Sequence, residues 1–200
     1  MDLKSNLKGV NKINKYAHYD IINGDENEKD SYILAGNIHK NVRKNIQGFI
    51  RPGASIYNLA NKIRENIRCY TNKKGVNCGI AFPPILSVSD CIAHYSPTKE
   101  TDIILKYDDN IKIDFGVQVN GYIVDSAFSC YFNPKHEKIH NATKEALYEG
   151  LKQVGVDAYI NDVSKSIEEV INSYDFTIIE GVGGHNIERY NIHGGKFISN

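Results

Sequence analysis

IKIDFGVQVNGYIVDSAF, residues 111–128, places two aspartates, Asp114 and Asp125, inside runs of Ile, Val and Phe. An ionised carboxylate among apolar strand residues is costly unless something compensates it. Asn120-Gly121 between alternating apolar runs is the strongest short-range signal for a two-residue hairpin turn. With those two residues as the loop, Asp114 faces Ala127 and Asp125 faces Gly116. Cross-strand partners share a face, as do residues two apart along a strand. Both aspartates therefore lie on one face as diagonal neighbours, together with Lys112, Gly116, Gln118, Ile123, Ala127 and Ser129. The opposite face carries Ile113, Phe115, Val117, Val124 and Phe128 and reads as core. Each aspartate sits opposite a very small residue, which predicts room above the pair. Two like charges this close do not both stay ionised unaided. A shared cation resolves the conflict, and two cations roughly 3.5–4 Å apart suit a pair of this span. The bland alternative is a solvated hairpin face carrying two surface aspartates.

The rest of the chain narrows the class. Lys plus Arg equals Asp plus Glu, so the formal net charge is zero and no basic field of the kind nucleic-acid binders use is present. The cysteines, Cys69, Cys78, Cys91 and Cys130, lack CxxC or zinc spacing and read as reduced, buried thiols of a cytoplasmic protein. The N-terminus has no apolar signal-like region and no apolar run approaches a membrane span. Neither nucleic acid nor membrane is expected as a partner.

Residues 1–28 are polar and patternless and read as a flexible leader. Residues 29–200 read as the folded part of the chain. A helix is predicted from Ser31 to Ile50, capped at Asp30 or Ser31 and stopped by Arg51-Pro52-Gly53. A second runs from Ile56 to Tyr70 with Ser55 as cap and an apolar stripe of Ile56, Leu59, Ala60, Ile63 and Ile67. Asn133-Pro134 ends the hairpin and opens a helix to Val154, with Ile139, Ala142, Ala146, Leu147 and Leu151 facing in. Another covers Asp162 to Tyr174, with Val163, Ile167, Val170 and Ile171 inward. The FTIIEGV segment, residues 176–182, reads as a strand. Helices alternate with hairpins, so the fold class is α+β rather than a doubly wound parallel sheet.

Three histidines stand in unusual company. His94 lies in IAHYSP, His185 follows glycines in GVGGHNI, and His193 precedes two glycines in NIHGG. A straight strand would hold His185 and His193 roughly 26 Å apart. Both reach one site only if the chain bends between them, and the polar Glu188-Arg189 marks the place for it. His18, His39, His136 and His140 read as surface residues. Imidazole plus carboxylate is the ligand set of Mn, Fe, Co or Zn. Asp114, Asp125 and a histidine from position 185 or 193 thus form a candidate metal-hydrolase site.

AFPPILSVSDCIAHYSP, the KIDFG hairpin with its second aspartate, and GGHNIERYNIHGGK together resemble the type 2 methionine aminopeptidases, from residue 31 to residue 200. The resemblance implies a pita-bread fold, an antiparallel sheet with helices packed outside it. It implies metal-dependent removal of the N-terminal methionine from nascent proteins and peptides, and with such substrates proximity to the ribosome. It implies two divalent ions (Co, Mn, Fe or Zn) held by Asp114, Asp125 and His185, with Asp125 bridging them. His94 resembles the residue at the scissile amide nitrogen and His193 the one that polarises the carbonyl. Phe82 and Ile192 resemble walls of the methionine pocket.

There are two departures. Gly183 stands where the family usually has Asn. By resemblance, two further ligands, both glutamates, fall beyond residue 200, and one of them is also the general base. The chain therefore reads as an incomplete catalytic domain whose last third is missing, and the 200-residue chain alone is expected to be a poor or inactive aminopeptidase. The competing readings are a metal-free pita-bread scaffold protein and a degenerate open reading frame.

Overall fold

The computed structural model describes residues 28–71 and 77–199. The leader therefore falls, but for Glu28, outside the described residues. The element order is α1 (Glu28–Ile46), α2 (Ile56–Tyr70), β1 (Cys78–Ile80), β2 (Ile85–Val88), β3 (Asn110–Val119), β4 (Tyr122–Tyr131), α3 (Glu137–Gln153), α4 (Ile160–Ser173), β5 (Gly183–His185) and β6 (Phe197–Ser199).

The long hairpin β3–β4 is the centre of the molecule. Its turn is Asn120-Gly121, both with positive φ (52° and 84°), as a two-residue hairpin loop of this type requires. The register pairs Asp114 with Ala127 and Gly116 with Asp125, so the predicted same-face arrangement of the carboxylates holds. On its other edge β3 pairs antiparallel with β1 near the turn and with β2 further down, giving a four-stranded sheet. Ile111, Ile113, Phe115, Val117 and Val119 point from β3 to the back of the sheet and are buried. Helices α1 and α2 cover that face with Ala35, Ile38, Val42, Ile46, Ile56, Leu59, Ile63 and Ile67.

Helix α2 has the predicted bounds, and the Ser55 hydroxyl accepts from Asn58 N at 3.0 Å as its cap. Helix α1 begins three residues earlier than expected. Ser31 is buried inside it rather than capping it, and the chain tightens to a 3₁₀ turn over Gln47–Phe49 before Pro52. Asn133 caps a short 3₁₀ turn, Pro134–His136, ahead of α3.

Four sequence readings need correction. Residues 176–182 are not a strand: Phe176 and Ile178 pack on α3 and α4 without a paired neighbour, so their backbone has no ladder to join. On α3, Ala142 and Ala146 are buried, but Ile139, Leu147 and Leu151 are exposed, because α4 contacts only a narrow stripe of the helix. Cys69 is exposed, Cys91 and Cys130 are half-buried, and only Cys78 is in the core; all are free thiols. His39 is buried against the sheet rather than on the surface. No helix among the described residues is long and apolar enough to cross a membrane.

Candidate metal centre

The open face of the hairpin carries the two aspartates. Lys112 shares this face but is committed elsewhere: its ammonium donates to Ser89 O at 2.7 Å and Asn110 Oδ1 at 3.3 Å. Asp114 Oδ1 is buried and has no hydrogen-bond partner. Its carboxyl is raised from 3.8 to about 7, first by burial, then by the charge of Asp125 and a hydrogen bond between the two carboxyls, with His185 pulling the other way. Without a cation the Asp114 carboxyl therefore keeps its proton well above the ordinary carboxylate range.

The expected room above the pair is partly filled. A Cβ on Gly116 would sit 2.5 Å from the Phe82 ring and 2.8 Å from Ala81 Cβ. Phe82 thus lies over Gly116, directly across the ladder from Asp125. The small residue there makes space for an aromatic wall rather than for an open cavity. This places Phe82 beside the carboxylates.

The histidines arrive from the other end of the chain. β5 and β6 pair antiparallel, and between them the chain turns back at Glu188–Asn191, which bridge each other. The bend falls at the predicted Glu188-Arg189. It brings the His185 and His193 rings to 4.2 Å between centroids in an edge-on arrangement. His185 Nε2 stands 3.6 Å from Asp125 Oδ2. The turn is fixed to the hairpin tip: Tyr190 N donates to Gly121 O at 2.8 Å, and Arg189 Nε donates to Asn120 O at 2.9 Å. The Arg189 guanidinium also lies over the Tyr122 ring. These docking contacts were missed in the sequence, although a polar turn placed between two histidines that must meet was a usable signal. Ile192 is half-buried beside His193, which is itself exposed.

Gly183 is sterically required here, since a Cβ would overlap the Ile198 carbonyl of β6. The family's usual Asn therefore has no place in this hairpin as it stands. His94 is exposed with φ 65°, a left-handed conformation uncommon for a residue with a side chain. The adjoining Tyr95 ties this segment to β2 through Leu86 N to Tyr95 O at 2.7 Å, one residue from Ile85, the pairing partner of Asp114.

Asp114, Asp125 and His185 are thus adjacent. They stop short of full convergence: among the described residues no group of three or more His, Cys, Asp or Glu lies close enough together to hold a metal ion. The donor types still fit a divalent cation. A buried unpartnered carboxylate oxygen, a second carboxylate beside it and an imidazole 3.6 Å from that second carboxylate form an acceptor-rich site.

Comparison with known proteins identifies the fold and the family. The fold is shared with a methionine aminopeptidase from Thermotoga maritima (TM-score 0.77, 21% identity, covering 88% of this chain and 72% of that one). A dipeptidase from Pyrococcus horikoshii matches with TM-score 0.74 at 22% identity, covering all of this chain and 52% of that one. The architecture is therefore that of the pita-bread α+β proteins. The chain belongs to metallopeptidase family M24, whose profile matches residues 30–200. Among curated relatives, methionine aminopeptidase 2 of Komagataella phaffii is 38% identical over 181 residues, 86% of this chain and 40% of the relative. Methionine aminopeptidase 2 of Clavispora lusitaniae is 39% identical over 171 residues, 80% of this chain and 39% of the relative. The chain thus spans about two-fifths of the length of the curated relatives it matches.

Proposed function

We infer that these residues belong to a metal-dependent aminopeptidase that removes the N-terminal methionine from nascent chains and peptides. The observation that carries the reading is the buried Asp114 Oδ1, without a hydrogen-bond partner, on a carboxyl beside Asp125, with His185 reaching Asp125. The identity to methionine aminopeptidase 2 relatives supports the substrate class. Asp114, Asp125 and His185 would hold two divalent ions of the Co, Mn, Fe or Zn type. When bound, such ions neutralise the carboxylate pair and lower the pKa of water to near neutrality.

The other residues act on the peptide. His193, in ring contact with His185, is assigned to donate to a carbonyl oxygen as charge develops on it. His94, on its left-handed backbone, is assigned to the amide nitrogen of the bond to be cut. Phe82 and Ile192 offer apolar surface to an unbranched thioether side chain.

The test is release of methionine from a Met-Ala-Ser peptide by protein carrying these residues, supplied with Co²⁺ or Mn²⁺. Asp125→Asn should bring release to background with little metal retained. His193→Ala should lower turnover by about 10²-fold with metal content near wild type. Release unaffected by Asp125→Asn would overturn the reading. Loss of metal in His193→Ala would make His193 a ligand and reverse the roles of the two histidines.

A further inference from the structure

His39 has no part in the site described above, yet it is buried in the core. It lies on α1 in phase with Ala35, Val42 and Ile46, on the face that packs against the back of the sheet. Its ring stacks flat on Phe115, with centroids 4.1 Å apart and 10° between planes. Its Nε2 is 3.0 Å from the Phe115 carbonyl oxygen, and as the protonated nitrogen it donates there. Phe115 and Ser126 are cross-strand partners. Their rung lies between the Asp114–Ala127 rung and the Gly116–Asp125 rung, and each of the two residues directly follows an aspartate. Ser126 is also the small residue on the core side of β4, between Val124 and Phe128, where a ring has room to approach the backbone.

A histidine is a costly way to fill such a position. Burial disfavours its charged form and holds its pKa below the ordinary value, so the ring is a neutral donor. A leucine would cover the same apolar surface without needing a partner. What the imidazole adds is a directed bond to the single rung flanked by both carboxylates.

We propose that His39 is a positioning residue for the metal centre, clamping the Phe115–Ser126 rung from behind so that Asp114 and Asp125 keep the spacing a pair of divalent ions requires. This rests on the metal reading of the two aspartates. Loss of the clamp leaves the stacking partner and the fold in place but lets the rung breathe, which weakens metal binding more than it weakens folding. Outer partners of metal ligands commonly matter by about 10–100-fold in affinity. For a residue acting through the backbone the lower end applies, about tenfold.

The experiment titrates Co²⁺ into the metal-free protein and follows the visible ligand-field absorption. Thermal unfolding of the same metal-free samples is recorded in parallel. His39→Phe keeps an aromatic ring against Phe115 but cannot donate. It should bind Co²⁺ about tenfold more weakly, with an altered absorption band, at a temperature where it is fully folded. His39→Gln, whose amide nitrogen reaches about as far as Nε2, should restore affinity to within about threefold. If the Phe variant does not fold, His39→Leu replaces it under the same criteria. Co²⁺ affinity and spectrum equal to wild type in the donor-less variant would overturn the proposal. So would a loss that His39→Gln fails to restore, since that is what a purely structural histidine gives. Wild-type protein that takes up no Co²⁺ would overturn this proposal and the metal reading together, whereas normal wild-type binding with an unchanged variant overturns only the role of His39.

Discussion

The two halves of the molecule contrast in how they are packed. In the first, α1 and α2 close over the back of a four-stranded sheet, and Val42, Ile46, Ile56, Ile63, Ile67, Ile113 and Phe115 are wholly buried. In the second, α3 and α4 share a small core around Ala142, Ala146 and Ile171, while Leu147 and Leu151 are each 58% exposed. The candidate metal centre straddles this difference. Its aspartates and Phe82 come from the packed half. Its histidines 185 and 193 come from the thin half and are held by one turn docked on the hairpin tip. Local stability follows buried apolar contact, so the carboxylates form the fixed part of the site and the histidines the adjustable part.

The largest effect that sharpens this contrast is a core truncation. Phe115→Ala should cost about 3–5 kcal/mol of unfolding free energy, since it removes a fully buried ring. Leu151→Ala should stay within about 0.5 kcal/mol. Denaturant unfolding of the two variants checks this, and equal losses would break the comparison. Next in size is Gly121→Ala. Its positive φ disfavours a side chain, and the added methyl overlaps the Tyr190 ring. A loss of about 2 kcal/mol is expected. Hydrogen exchange should show it chiefly as faster opening of residues 183–199, with the sheet core little changed.

A third prediction concerns pH. The Asp114 carboxyl is raised in the folded protein, so the stability it contributes is fully present below pH 4 and is lost as pH rises through about 7. The unfolding midpoint of metal-free wild type should therefore fall, relative to Asp114→Asn, between pH 4 and 7. Saturating Mn²⁺ should abolish the difference. Parallel curves for the two proteins would remove the charge conflict from the account. The smallest effect is Arg189→Ala. It loses the hydrogen bond to Asn120 O and the contacts with the Tyr122 and Tyr190 rings among its interactions, about 1 kcal/mol. The loss should appear as weaker metal retention through His185, with global unfolding almost unmoved.

What was readable in the sequence follows the same division. Asn120-Gly121 fixed the register because few turn geometries suit two-residue loops, and a one-residue slip would reverse both faces. Ser55 and the stripe of α2 were legible because capping and helical phase are local. The bend at Glu188-Arg189 was legible from the distance two histidines must cover. His39 was misread because its neighbours on α1 are polar; its phase with Ala35, Val42 and Ile46 was the signal that places it inside. Phe82 over Gly116 and Tyr190 over Gly121 were not legible, because both are contacts between distant segments. The outward Leu147 and Leu151 were misread because an apolar stripe predicts burial whatever the neighbouring element is able to cover.

The central claim is that Asp114 and Asp125, with His185, hold divalent cations. Anomalous diffraction from crystals of the protein soaked in Mn²⁺ tests it most directly. The account predicts a Mn peak bounded by the carboxylates of Asp114 and Asp125, with His185 Nε2 turned onto the metal. A fully occupied peak that none of these three side chains touches, or well-diffracting soaked crystals with no peak on this face of the hairpin, would contradict it.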